Sequence, residues 1–265
     1  MVSSRWSASF RCARARNSAL LGAMLFLACA LSMRAQAPAD ARAGSADIPV
    51  LISALRDPKP ETRAEARAAL VKAGPEAVPA LVAAIAGERS RRINSKILED
   101  MGPQVTVPAL MALLDDPELR GKAGSQLFLL IGPESGHLAP ELLTCISQKP
   151  EVRHYCGQAL VKSMSQKSSV QTALLASALK DGLSDVRLYA AAALGQIGSR
   201  AKQAVPALAE ALKDSEPVVR LNAALALGKM GRGARPALPA LRAAALEGPP
   251  ELRRQIEEIV KGING

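Results

Sequence analysis

A chain that repeats itself at a fixed interval does not fold around one central core; it stacks copies of one small unit. This sequence repeats itself. Val78-Pro79-Ala80-Leu81, Val107-Pro108-Ala109-Leu110, Val205-Pro206-Ala207-Leu208 and Leu238-Pro239-Ala240-Leu241 are copies of one tetrad. Pro49 and Pro140 are variants, and Thr172 holds the place in a copy that lacks the proline. The intervals between these seven positions are 30, 29, 32, 32, 34 and 33 residues. Further along each copy, Asp57, Asp181 and Asp214 precede Arg63, Arg187 and Arg220 by six residues. Arg91, Arg120, Arg153 and Arg253 stand near the equivalent place in the other copies. Gly74, Gly102, Gly132, Gly198 and Gly231 close their units.

Each unit reads as two helices. Proline opens the first, where its missing N–H costs nothing. Leu208, Ala211 and Leu212 then fall at i, i+3 and i+4, the apolar period of a helix. A turn rich in Asp, Pro, Ser and Gly follows. The second helix, clearest over Val219–Met230, ends at Gly231, where a left-handed residue is expected. One hairpin cannot bury its own apolar face, so neighbours must stack. The expected fold is therefore all-α, a solenoid of about seven hairpins over residues 47–265. Composition agrees. The chain is 49% hydrophobic, yet its aromatics are only Trp6, Phe10, Phe26, Phe128, Tyr155 and Tyr189. Ala, Leu, Val and Ile must fill the core, which argues for closely packed helices and against a β-sandwich, a β-barrel or an aromatic-lined cofactor pocket.

The N-terminus stands apart. Residues 1–16 carry Arg5, Arg11, Arg14 and Arg16 and no acid. An apolar run follows from Ala19 to Met33, then Arg34 and the small residues Ala35-Gln36-Ala37. A positive segment, an apolar stretch of about 15 residues and an A-x-A site make a secretory signal. We assign residues 1–37 to it, with cleavage between 35 and 41, and 38–46 to a flexible lead-in. The protein is then periplasmic or secreted. The alternative is an uncleaved N-terminal membrane anchor, for which the run is short of the ~20 residues a span needs. Lipidation at Cys29 fits poorly, because the apolar run continues past that cysteine. The full chain carries +10, and five of those positives lie before residue 38 without a compensating acid, leaving +5 on the exported part. That is too mild for a nucleic-acid footprint, and no nucleic-acid partner is expected.

The stretches Val186-Arg187-Leu188-Tyr189-Ala190-Ala191-Ala192-Ala193-Leu194-Gly195-Gln196-Ile197-Gly198 and Val219-Arg220-Leu221-Asn222-Ala223-Ala224-Leu225-Ala226-Leu227-Gly228-Lys229-Met230-Gly231 resemble HEAT repeats. They are most similar to the bacterial PBS-lyase HEAT-like subclass. The resemblance extends from residue 47 to about 260. It is fullest in units five and six and good in unit one. Units two to four drift: Arg91-Arg92 replaces Val-Arg, Gly121 interrupts unit three, and unit four ends Lys162-Ser163-Met164 without glycine. The resemblance implies an α-solenoid that serves as a binding scaffold. It does not imply lyase activity, which most proteins with such repeats lack.

Nothing in the sequence assembles a reaction centre. There is no H-E-x-x-H, C-x-x-C, G-x-S-x-G or P-loop. The two histidines, His137 and His154, are followed by Leu138 and Tyr155, so the His-Glu pairs of HEAT-like iron hydroxylases are missing. The exported part has no Trp, which removes the aromatic cleft of the HEAT-like glycosylases. No cofactor, metal or catalytic site is expected. Asp115-Asp116 fits a turn, and Glu257-Glu258 the solvated face of a capping helix. The partner is expected to be a protein or peptide. The alternative is a lyase-like or small-molecule-handling subunit that uses the solenoid groove; a deep apolar pocket with convergent polar groups would favour it.

Three sets of residues carry specific expectations. Asp57, Arg63, Asp181, Arg187, Asp214 and Arg220 should form a structural ladder, with Arg187 and Arg220 bonding acidic or carbonyl groups of the adjacent unit. Cys145 and Cys156 align with Ala211 and Ala223, small inward positions on the two helices of one hairpin. In an oxidising compartment they can pair, or remain two buried free thiols. His154, Tyr155, Leu188, Tyr189, Leu221 and Asn222 fall between the buried positions of successive second helices and are nominated as the partner-binding stripe. Tyr155 and Tyr189 take the same repeat position, and the stripe reading expects both rings to be exposed. Otherwise they pack between helices.

Overall fold

The computed structural model describes residues 48–264. The signal segment 1–37, the lead-in 38–46 and Cys29 lie outside these residues. The chain divides after Val50: the unit Leu51–Gly265 carries the repeats, and Ile48, Pro49 and Val50 belong to its first helix.

Seven helical hairpins follow one another. They are α1 (Ile48–Ala54) with α2 (Pro60–Ala73), α3 (Val78–Ala83) with α4 (Glu88–Met101), and α5 (Pro103–Leu113) with α6 (Arg120–Leu130). Next come α7 (Ala139–Gln148) with α8 (Arg153–Ser163), and α9 (Thr172–Ala178) with α10 (Ser184–Ile197). The last are α11 (Val205–Ala211) with α12 (Pro217–Met230), and α13 (Leu238–Glu247) with α14 (Pro250–Asn264). Among the described residues there is no strand. No helix of these residues is long and apolar enough to cross a membrane.

Proline sits in the opening turn of α2, α3, α5, α7 and α11 to α13, where the helix has no use for its N–H. Short 3-10 segments lead into most first helices, among them Pro133–Leu138, Gln166–Gln171, Gly198–Ala204 and Gly231–Ala237. These segments stack on one another along one edge of the solenoid, and the turns inside the hairpins form the other. The core is one continuous layer of Leu81, Leu98, Leu110, Leu127, Leu142, Leu160, Leu194, Leu208, Leu227 and Leu241, all at 0% exposure. Burying a leucine contributes about 1.5–3 kcal/mol. Alanine sets the separation of α10 and α12: Ala190, Ala191, Ala193, Ala223, Ala224 and Ala226 are buried. A Cβ added at Gly195 would come within 3.2 Å of the Ala226 Cα.

Several sequence expectations need correction. Thr172 is not the counterpart of the prolines. It starts α9 as Val205 starts α11, so Ala173 holds the proline position and the last three intervals become 33 residues each. Thr172 therefore occupies a buried apolar place, 3% exposed, and its hydroxyl has no hydrogen-bond partner among the described residues. Gly74, Gly198 and Gly231 close their helices at φ 63°, 64° and 57°, but with ψ near −135° rather than in the left-handed helical well. Only glycine visits that region cheaply. Gly132 does not join them: it is extended, with φ −136° and ψ −179°, because α6 already ends at Leu130 and Ile131 is itself extended. Unit four stops without glycine on the extended Met164.

Cys145 and Cys156 are bonded to each other, with Cα atoms 6.1 Å apart. The bridge ties α7 to α8. Both cysteines are buried in alanine-sized positions, so the hairpin register does bring the two thiols together.

Candidate functional site

The Asp–Arg spacing builds the turn edge. Arg63 donates to the carbonyls of Asp57 and Pro58 at 2.9 and 2.8 Å. Arg187 donates to Asp181 and Gly182, and Arg220 to Asp214 and Ser215, in the same manner. Each aspartate carboxylate instead accepts from the backbone N–H two residues on: Lys59, Leu183 and Glu216 at 2.8–2.9 Å. Each aspartate thus closes the turn and each arginine ties the turn to the second helix. The expected inter-unit bond holds for Arg187 alone of these three. Its guanidinium also grips both Asp214 oxygens, Nε to Oδ2 at 2.6 Å and Nη2 to Oδ1 at 2.8 Å. Arg63 and Arg220 bond within their own hairpins. In unit seven Glu247, the last residue of α13, stands where units five and six have their turn aspartates, and Arg220 makes no ion pair with it. The Arg187 contact holds the Asp214 carboxyl below its ordinary range and raises the guanidinium. Arg153 reaches the next unit too, at Asp185, 2.9 Å.

The two tyrosines are not free-standing. Each is half-buried and packs on a glycine of the preceding second helix. A Cβ at Gly124 would lie 2.5 Å from the Tyr155 ring, and one at Gly157 would overlap the Tyr189 ring. The exposed-ring expectation is therefore corrected. Glycine leaves a hole in α6 and α8, and the tyrosine of the next unit fills it. Units five and six carry Ala191 and Ala224 at the glycine position, and the residue facing Ala191 shrinks to Asn222. Helix-interior glycines facing tyrosines one repeat on were the signal for this packing.

Leu188, Tyr189 and Asn222 do line one recess with Phe128, Gln158, Val161, Lys162, Ala192 and Gln196. Its volume is about 400 Å³, and it runs across α6, α8, α10 and α12. Phe128 is 45% exposed, and the Lys162 ammonium sits 4.8 Å from its ring centre. The same ammonium donates to the Phe128 and Leu129 carbonyls at the end of α6. Burial pushes the Tyr189 hydroxyl pKa up, and the Asp185 charge adds to it. Asn222 donates to the Val218 carbonyl at 2.8 Å, leaving its amide oxygen open. His154 is exposed, its ring centre 3.8 Å from that of Tyr155 with the planes tilted by 40°, and neither lines the recess. Leu221 is half-buried and lies outside it. Phe128, Val161, Lys162 and Gln196 were not nominated: Lys162 and Gln196 take the Lys229 position of the stripe further along their helices, and Phe128 lies in a drifted repeat.

A larger cleft of about 820 Å³ lies at the turn edge between Asp57, Arg63, Gly87 and Ile93. Arg63 is committed to the Asp57 and Pro58 carbonyls there. Among the described residues no three His, Cys, Asp or Glu side chains gather as metal ligands would. Asp116 caps the amides of Glu118 and Leu119, and Asp115 pairs with Lys149.

Residues 172–260 match the family model described as HEAT repeats. The match falls on hairpins five to seven, so that part of the chain carries HEAT repeats. No curated protein matches the sequence. Solved structures are similar across most of the chain. A HEAT-like repeats protein from the archaeon Thermococcus onnurineus NA1 is 14% identical, with 82% of this chain and 87% of that one covered and a TM-score of 0.49. A designed armadillo repeat protein in complex with the peptide (KR)4 is 19% identical over 82% of this chain and all of that one, TM-score 0.49. An engineered protein is 18% identical over 82% and 96%, TM-score 0.47.

Proposed function

We propose that this chain is an exported, non-enzymatic scaffold that binds a protein or peptide in the recess across α6 to α12. The observation that carries the reading is the makeup of that recess. Phe128, Val161, Leu188, Tyr189 and Ala192 give it apolar surface, and Gln158, Gln196 and Asn222 supply carboxamides. Carboxamides both donate and accept, which suits a polypeptide backbone, and the apolar floor suits its side chains. Its polar groups are amides, the half-buried Tyr189 hydroxyl and one lysine already engaged with carbonyls. Acid–base chemistry on a small molecule needs titratable groups that converge, so the lyase-like alternative has less support. Export rests on the basic and apolar sequence of residues 1–37.

The test is crosslinking and capture from an envelope fraction with wild type and with Leu188→Glu/Phe128→Glu. Both positions are at least partly exposed, so the melting temperature should stay close to wild type. The variant should lose the partner. Equal capture by both proteins would move the binding face elsewhere.

A further inference from the structure

The two edges of the solenoid use their cations differently. On the turn edge Arg63, Arg120, Arg153, Arg187, Arg220 and Arg253 donate to carbonyls, and Arg153 and Arg187 also to carboxylates. On the opposite edge the stacked segments Gln166–Gln171, Gly198–Ala204 and Gly231–Ala237 contain Lys167, Arg200, Lys202, Arg232 and Arg235 and no carboxylate. Lys167 and Arg200 are 33 residues apart, as are Lys202 and Arg235, so they form two rows along the edge. All of these side chains are exposed. Among the described residues Lys167, Arg200 and Lys202 make no ion pair, and Arg235 reaches only the Asn264 carbonyl, at 3.5 Å. Lys202 lies against Gly233 of the next segment, which brings the rows of two units together. Glu134 is the one carboxylate at the rim of the cleft that Lys167 and Arg200 share.

Holding Lys167, Arg200, Lys202 and Arg235 in line with Glu134 as the neighbouring carboxylate costs repulsion, which an anionic surface would offset. We propose that this edge docks on an anionic phospholipid surface. The edge is a row of side-chain tips on short helical turns. Among the described residues these segments have no aromatic side chain on which a base could stack. Val170, 79% exposed, projects from the same edge, and the exposed Pro236 takes the equivalent place two repeats on. Apolar tips among cations suit the boundary between headgroups and acyl chains. A lipid surface also needs no register with the rows, and each Lys or Arg near it strengthens binding about fivefold. This inference is independent of the recess, which lies on the second-helix face.

The test is sedimentation of the full chain with phosphatidylcholine vesicles, with and without phosphatidylglycerol. It compares wild type with Lys167→Gln/Arg200→Gln/Lys202→Gln/Arg235→Gln. Wild type should prefer the anionic vesicles and lose that preference as salt rises. The variant should bind them at least about tenfold more weakly, with an unchanged melting temperature. A matched variant, Lys59→Gln/Arg89→Gln/Lys180→Gln/Lys213→Gln, removes the same charge from the turn edge and should stay within about twofold of wild type. Equal binding by the first variant and wild type, or equal losses in both variants, would overturn the proposal. So would a loss of binding to soluble polyglutamate with no change on vesicles, which would assign the edge to an acidic polypeptide.

Discussion

Tyr189 occupies the space that Gly157 leaves by having no side chain, and Tyr155 stands in the same relation to Gly124 one repeat earlier. A glycine inside a helix costs about 0.5–1 kcal/mol relative to alanine. Here a ring from the next unit is packed into the gap, and the stacking of α8 on α6 and of α10 on α8 depends on it. Gly157→Ala should destabilise by about 1–3 kcal/mol through overpacking. Gly157→Ala with Tyr189→Asn, which copies the Ala191–Asn222 pair of the next interface, should cost less than the two single changes summed. Denaturant melts of the four-member cycle measure the coupling. Additive costs would show that the ring and the glycine do not compete for one space.

Arg187 and Asp214 form the bridge between units five and six, with side chains only 14% and 8% exposed. Arg187→Ala strands a carboxylate in that interface and should cost about 3 kcal/mol. Arg187→Met with Asp214→Leu should cost less than either single loss, because neither charge is left unpaired. Arg220→Ala, which removes bonds inside one hairpin, should cost about 1–2 kcal/mol. The Asp214 carboxyl is held below its usual value first by the Arg187 hydrogen bond. A depressed carboxyl contributes stability that is fully present above about pH 4 and is lost as pH falls through the folded value. Melting temperature followed from neutral pH into acid should fall less for Arg187→Ala than for wild type.

Thr172 places a hydroxyl without a partner where the equivalent residue is Val205. Thr172→Val keeps the shape and removes the unsatisfied group. It should stabilise by about 1 kcal/mol. In a chain of this size that raises Tm by about 2–4 °C. An unchanged or lowered Tm would show that the hydroxyl finds a partner in solution.

The Cys145–Cys156 bond closes a loop with a sequence separation of 11. Cross-linking so short a loop should stabilise by about 2–3 kcal/mol. Cys145→Ala/Cys156→Ala should lower the denaturant midpoint accordingly, and a reducing agent should shift wild type toward the variant. Mass spectrometry of the purified protein, with and without thiol alkylation, checks the pairing directly. The same measurement reads the mature N-terminus, expected between residues 36 and 42.

The all-α class, the seven hairpins and most of the core were legible in the sequence, because a stacked repeat uses short-range patterns. Proline at helix starts, Asp and Arg six residues apart, and apolar residues at helical spacing each act within one unit. Relations between units were not legible in the same way. The register of Thr172 depended on where α9 begins, which a missing proline obscured. That Arg187 spans two units while Arg220 does not followed from the residue that stands opposite each in the next turn. The half-burial of Tyr155 and Tyr189 was set by glycines 31 and 32 residues before them. The recess joins Phe128 to Asn222 across four second helices, a contact set that appears only after stacking. Local pattern determines each hairpin here, whereas side-chain volume and charge across the interface decide how its neighbour packs against it.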